Sequence, residues 1–150
     1  MSLKILAKNR RAKFDYDLLK RYEAGLVLTG SEVKSIKQGR ASLKGAFVTA
    51  HQGELFLLNA NIPPYEFSSP DKNYNPTRSR KLLLHRQEIN HLLGQIKANG
   101  LTLVPLSLYT KKGKVKLEFA LAKGRKKFDK RELLKKRTAQ REMERKMKNS

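Results

Sequence analysis

Cysteine and tryptophan are absent from this 150-residue sequence, and aromatic residues make up only 7% of it. Without cysteine there are no disulfides and no thiolate metal sites, which suits a reducing compartment. With so few rings, a core must come mostly from Leu, Val and Ile. Long apolar runs are missing as well. The stretch Leu3 to Ala7 is short and broken by Lys4, too little for a signal peptide. Nothing approaches the ~18 apolar residues of a membrane span, so a cytoplasmic protein is expected. The scarcest class is acid: 13 Asp and Glu stand against 34 Lys and Arg, a net charge of +21. A charge of that size attracts polyanions, whether nucleic acid, an anionic membrane or an acidic protein. Nucleic acid has the strongest claim, because such basicity is its usual electrostatic footprint.

Catalytic patterns are also missing. None of the three His belongs to an H-E-x-x-H helix, and there is no G-x-S-x-G elbow and no Gly-rich phosphate loop. Glu32 reads as a helix cap rather than a general base. No enzyme, metal or cofactor is expected.

What is present is mostly short strands. In "AKFDYDLL", Phe14, Tyr16 and Leu18 alternate with polar residues, the period of a half-buried strand, and "LVL" after Gly25 reads as a second. Thr29 and Glu32 fit a capping box that opens a helix over 30–38. "AFVTAHQGELFLL" reads as a hairpin turning at Gly53. Residues 63–79 hold four of the five prolines and form a long polar loop, of the kind that is usually functional or disordered. Ile89, Leu92, Leu93 and Ile96 mark a helix ending at Asn99-Gly100. A second hairpin turns at "KKGK", with Pro105 predicted at a sheet edge or bulge. The fold class is therefore mainly β: a small antiparallel barrel of the oligonucleotide-binding type with flanking helices. Two parts are expected, a barrel domain over 1–122 and a basic tail over 123–150.

The tail carries 13 Lys or Arg and 4 Asp or Glu. It is rich in helix formers, but Leu133, Ala139, Met143 and Met147 make only a thin stripe on a helical wheel. It cannot offset its ordering entropy alone, so a disordered or frayed tail is expected in the free chain. On the domain, three basic clusters stand out: Asn9-Arg10-Arg11; Lys34, Lys37, Arg40 and Lys44; and Arg78, Arg80 and Lys81. Their cations suit phosphates, and Arg forks suit guanine edges. Tyr65, Phe67 and Tyr74 in the long loop fit base stacking and loop packing equally.

Three blocks carry a resemblance: "NRRAKFDYDLLKRYEAGLVLTGSEVKSIKQGRASLKGAFV", "NPTRSRKLLLHRQEINHLLG" and "GLTLVPLSLYTKKGKVKLEFALAKGRKKFDKRE". Together, over about Asn9 to Glu132, they resemble the small protein B family of bacterial tmRNA-binding proteins. The resemblance implies a non-enzymatic, monomeric protein that binds the tRNA-like domain of tmRNA. It would bring tmRNA to stalled ribosomes for trans-translation, contacting small-subunit rRNA. It also implies RNA contacts at Asn9 in "NRRA", Glu23 in "YEAG" and Leu83 in "RKLLL". Arg10, Arg11, Lys34, Arg40, Arg78, Arg80 and Lys81 join them on charge. In the tail, Gly124, Lys126, Lys127, Asp129, Lys130 and Arg131 match the family motif, which implies a tail that becomes helical in the empty mRNA channel. Phe128 departs from the family's expected His or Tyr, keeping a ring but losing its polar handle.

Overall fold

Residues 112–113 bend the chain back on itself at positive φ, Lys112 at 53° and Gly113 at 78°, as a two-residue hairpin requires. In this computed structural model, which describes residues 3–69, 71–125 and 127–148, that turn joins two long paired strands, β6 (Thr102–Lys111) and β7 (Lys114–Gly124). Val115, Leu117, Phe119 and Leu121 face inward and are buried, as their alternation predicts.

The remaining elements are β1 (Lys4–Lys8), α1 (Ala12–Asp15), β2 (Tyr16–Leu26), α2 (Gly30–Lys37), β3 (Phe47–His51), β4 (Glu54–Leu58), β5 (Arg80–Leu83), α3 (Arg86–Asn99) and α4 (Lys127–Lys148). The strands run in the order β1-β6-β3-β4-β5-β2-β7, and β6 pairs with β7 as well. That extra pairing closes β6, β3, β4, β5, β2 and β7 into an antiparallel ring, with β1 added beside β6. The expected mainly β, antiparallel architecture with flanking helices is observed. Leu55, Leu57, Leu82, Leu108, Leu117 and Phe119 fill the barrel, with Ile36 of α2 and Ile89 and Leu92 of α3 packed onto it. Among the described residues no helix is long and apolar enough to cross a membrane.

Several elements differ from expectation. Of the run expected as the first strand, Tyr16 to Leu19 are strand, but Phe14 is not. Residues 12–15 form a turn of helix, held by Phe14 and Asp15 amides on the Arg11 carbonyl and by an Arg11–Asp15 pair at 3.3 Å. The strand that starts at Tyr16, β2, runs unbroken to Leu26 and pairs along its length with β7; of the second strand expected over Leu26 to Leu28, only Leu26 belongs to it. Gly25 sits inside it because β5 comes close: a Cβ there would lie 3.3 Å from the Leu83 Cβ. β1 and β5 are additions to the strands that the sequence predicts. Pro105 lies at a register shift of β6, the bulge anticipated for it. β7 continues through Lys123 to Gly124, past the domain limit suggested by charge.

The tail is helical over Lys127–Lys148. Its helix formers account for the conformation. The missing apolar face is equally evident, since Arg131 and every side chain from Leu134 to Lys146 are exposed.

The capping box is present as expected: Thr29 Oγ1 accepts from the Glu32 amide at 3.2 Å, and the Thr29 amide donates to Glu32 Oε1 at 2.9 Å. Glu32 does more than cap. It is 1% exposed, and Arg80, 0% exposed, donates to its Oε2 through Nη2 at 2.6 Å and Nε at 2.9 Å. Arg78 donates to it as well. Burial alone would raise the carboxyl's pKa. The Arg78, Thr29 and Arg80 donors outweigh burial and hold it at about 2. Arg80 also donates to the Ala60 carbonyl at 2.8 Å and the Pro76 carbonyl at 2.9 Å. Its guanidinium thus ties β5 and the long loop to the start of α2.

Candidate nucleic-acid interface

The bulge in β6 provides the anchor for Asn9. Its amide donates to the Leu106 carbonyl and its Nδ2 to the Pro105 carbonyl, both at 2.8 Å. Pairing resumes at Ser107 opposite Glu118, so Leu106 is the extra residue. Asn9 is therefore fixed at the lip of a groove of about 530 Å³ lined by β1, β2, β6 and β7. Arg10 and Glu23 line the same groove. Lys8, Lys13 and Arg21 add cations to its walls.

Glu23 is exposed and accepts a hydrogen bond from the Tyr109 hydroxyl, with Lys111 Nζ at 3.5 Å. The Tyr109 bond, then the nearby lysines, hold its pKa below the ordinary carboxylate value against the effect of burial. It stays an acceptor at neutral pH, suited to a base amino group. In turn, burial and the Glu23 carboxylate push the Tyr109 phenol well above its usual range. Glu23 also lines a neighbouring depression with Gly25, Leu83, His85, Glu88 and Lys116. Leu83 is 52% exposed there, so it is a surface residue and not part of the core. Asn9, Arg10, Glu23 and Leu83 thus fall along one surface made of two depressions that share Glu23.

The other candidates separate. Arg11 is exposed but engaged with Asp15 and placed 5.4 Å over the Phe14 ring. Lys34 and Arg40 flank the long loop and line neither depression: Lys34 Nζ sits 5.4 Å over Tyr65, and Arg40 donates to the Pro64 carbonyl at 2.9 Å. Arg78 is committed to Glu32 and the Val27 carbonyl. Lys81 is exposed on β5, 3.9 Å from Glu54. Arg80 requires correction: it is fully buried with its donors used internally, so its role is structural. Tyr74 also packs, donating to the Ile62 carbonyl at 2.6 Å and accepting from Arg80 Nη2 at 3.2 Å. Among the described residues no cluster of His, Asp or Glu could hold a metal ion.

At the tail's root, Gly124 pairs with Tyr16. Arg125, which no sequence motif singles out, fixes the exit direction: its amide donates to the Asp15 carbonyl at 2.9 Å and its Nε to the Tyr16 carbonyl at 3.2 Å. Lys126 and the side chains of Lys127, Phe128, Asp129 and Lys130 lie outside the described residues. Arg131 is exposed. Further along α4, Arg137 returns to the domain, 5.5 Å over Phe14 on a ring that Arg11 also covers, and lines the groove. Arg137 carries no sequence signal beyond its charge. A contact of this kind is worth about 0.5–1 kcal/mol at an exposed site. We expect Arg137→Ala to leave the domain's urea-unfolding free energy within about 1 kcal/mol of the parent.

Fold, groove and charge define a class: a small antiparallel barrel with a cationic groove and a basic helical extension, built as polyanion-binding modules are. The chain belongs to the SmpB family, whose model, described as "SmpB protein", matches residues 6–149. It is 52% identical over 147 residues to the SsrA-binding protein of Thermosynechococcus vestitus, covering 98% of this chain and 97% of that one. With the SsrA-binding protein of Geobacillus thermodenitrificans it shares 54% identity over 142 residues, covering 95% and 91%. A solved structure described as "tmRNA-SmpB: a journey to the center of the bacterial ribosome" superposes with a TM-score of 0.65 at 47% identity, covering 80% of this chain and 84% of that one.

Proposed function

We propose that this chain binds the tRNA-like domain of tmRNA and delivers it to stalled ribosomes for trans-translation. In this reading the barrel, residues 1–122, holds the RNA, and the basic tail, residues 123–150, occupies the empty mRNA channel near the decoding centre. The observation that carries it is the surface joining Asn9, Arg10, Glu23 and Leu83, in a chain about half identical to SsrA-binding proteins over nearly its whole length. Asn9 and Glu23 offer hydrogen bonds to base or sugar, Leu83 an apolar contact to a base face, and Arg10 a phosphate clamp.

The test is a binding titration at ~150 mM salt, where non-specific electrostatic binding is typically micromolar or weaker. Its ligands are the tRNA-like domain of tmRNA, an elongator tRNA and an unrelated hairpin. The expected result is tight binding to the first alone; equal binding to all three would reduce the chain to a general RNA binder. Arg10→Ala is expected to weaken binding and to flatten the salt dependence by about one unit in log–log slope. An unchanged slope would mean that the replaced cation faces away from the RNA.

A further inference from the structure

The long loop presents a feature the groove does not use. Phe67 is 76% exposed, and its ring meets Tyr65 edge to face, with centroids 5.4 Å apart at 72°. An aromatic left in water forgoes the stabilisation of burial. The turn that carries it is also tied down. Ser68 donates to the Tyr65 carbonyl through its amide and its Oγ, both at 3.0 Å. Ser31, in the first turn of α2, pins the turn from below: its Oγ lies 3.0 Å from Ser68 Oγ and accepts the Tyr65 amide at 3.3 Å. Arg40 Nη1 clamps the Pro64 carbonyl at 2.9 Å. Cations lie beside the rings: Lys34 sits over Tyr65, Arg40 holds Pro64, and Lys37 is exposed on α2 three residues after Lys34.

We propose that Phe67 and Tyr65 form a second RNA contact, a stacking platform for an unpaired base whose flanking phosphates are met by Lys34, Lys37 and Arg40. An exposed ring on a tied-down turn beside cations is the chemistry that single-stranded nucleic acid selects: the π-face takes any base, and the cations track the backbone. None of these five residues lines the groove or the depression beside it. The platform therefore leaves the groove free for the tRNA-like domain. This inference rests on RNA being the ligand class of the proposed function, and it adds a second segment of RNA, single-stranded, bound at the same time.

The chain has no tryptophan, so Phe67→Trp creates one fluorophore at the platform. Titration of F67W with a uridine homopolymer of about twelve nucleotides is expected to quench its emission, and an abasic oligomer of equal length to bind without quenching. Phe67→Ala is expected to lose about tenfold in affinity for the homopolymer, within the range found for one stacked base. Its affinity for the tRNA-like domain should stay within about twofold. Lys34→Ala should lower the salt slope for the homopolymer by about one unit. Unchanged F67W emission at saturating homopolymer would overturn the platform. Equal losses for both RNAs in F67A would overturn its independence and make it part of the groove site. If the homopolymer quenches F67W while the tRNA-like domain fails to bind the parent chain, the proposed function falls and the platform stands.

Discussion

Glu32→Gln is expected to lower the unfolding free energy by about 3–5 kcal/mol, the range for breaking a buried ion pair by removing one partner. Glutamine still satisfies a capping box, so the start of α2 keeps its hydrogen bonds, but an amide NH2 replaces the Oε2 that accepts from Arg80, so the charge and that acceptor are lost together. What it leaves behind is the Arg80 guanidinium, 0% exposed, with no counter-charge beside it. Urea denaturation at neutral pH measures the loss, and a melting temperature lower by about 10 °C or more should accompany it. Replacing both members, Glu32→Leu with Arg80→Met, should recover much of the loss, because a buried pair exchanged for apolar residues is often neutral or stabilising. If E32Q lost less than about 1 kcal/mol, the pair would be solvated in solution and the tie between β5, the long loop and α2 would be weak.

The same carboxylate sets an acid limit. Its folded pKa is about 2, against about 4.3 for a free glutamate. The pKa is depressed on folding, so the stabilisation is fully present above pH ~4.5 and is lost as pH falls toward 2. A depression of that size corresponds to about 3 kcal/mol of stability at neutral pH. Unfolding free energies measured between pH 5 and 2.5 should fall steeply in the parent, and E32Q should lack this glutamate's share of the slope. Parallel curves would assign the acid sensitivity to other carboxylates.

How much of this was legible in the sequence depended on whether the signal was local. The capping box of Thr29 and Glu32, the hairpin turns and the helix stop at Gly100 are set by neighbours in the chain, and each is where the sequence placed it. The partner of Glu32 is 48 residues away, and only the pairing of β2 with β5 brings the two together. Arg80 therefore reads as one more surface cation. Its inward-facing position also hides β5, whose buried residues are Arg80 and Leu82 in a strand of four. In the same way Phe14 satisfies a strand period but belongs to α1, because the Arg11 carbonyl and the Arg11–Asp15 pair close a helical turn there. Of the candidate site, residue identities came through the family resemblance. Their assembly along one surface did not, because Asn9 docks on a bulge and Glu23 on Tyr109 of β6, 86 residues away in the chain.

Truncation after Arg125, deleting residues 126–150, is expected to abolish peptide tagging on stalled ribosomes while tmRNA binding stays within about threefold. The cut point follows from the structure. Lys123 and Gly124 are strand residues paired with Asp17 and Tyr16, and Arg125 holds the Asp15 and Tyr16 carbonyls. A deletion starting at Lys123 would strip one end of β2 and confound a loss of tagging with damage to the barrel. Beyond Arg125, one contact between α4 and the domain is the stacking of Arg137 on Phe14, about 0.5–1 kcal/mol. Losing it shifts an affinity by only a few-fold, so the groove should still hold RNA. That stack by itself is cheap to release, as suits a helix that leaves the domain for an RNA-walled channel. Its 22 residues would span ~33 Å there, with cations on every side to meet phosphates. Tagging in a reconstituted translation system stalled on an mRNA without a stop codon measures one arm, and titration with the tRNA-like domain the other. Loss of both together would place the tail in the RNA-binding site itself, with Arg137 in the groove as a ligand contact. Retention of both would remove the tail from rescue and leave its charge without a task in the proposed function.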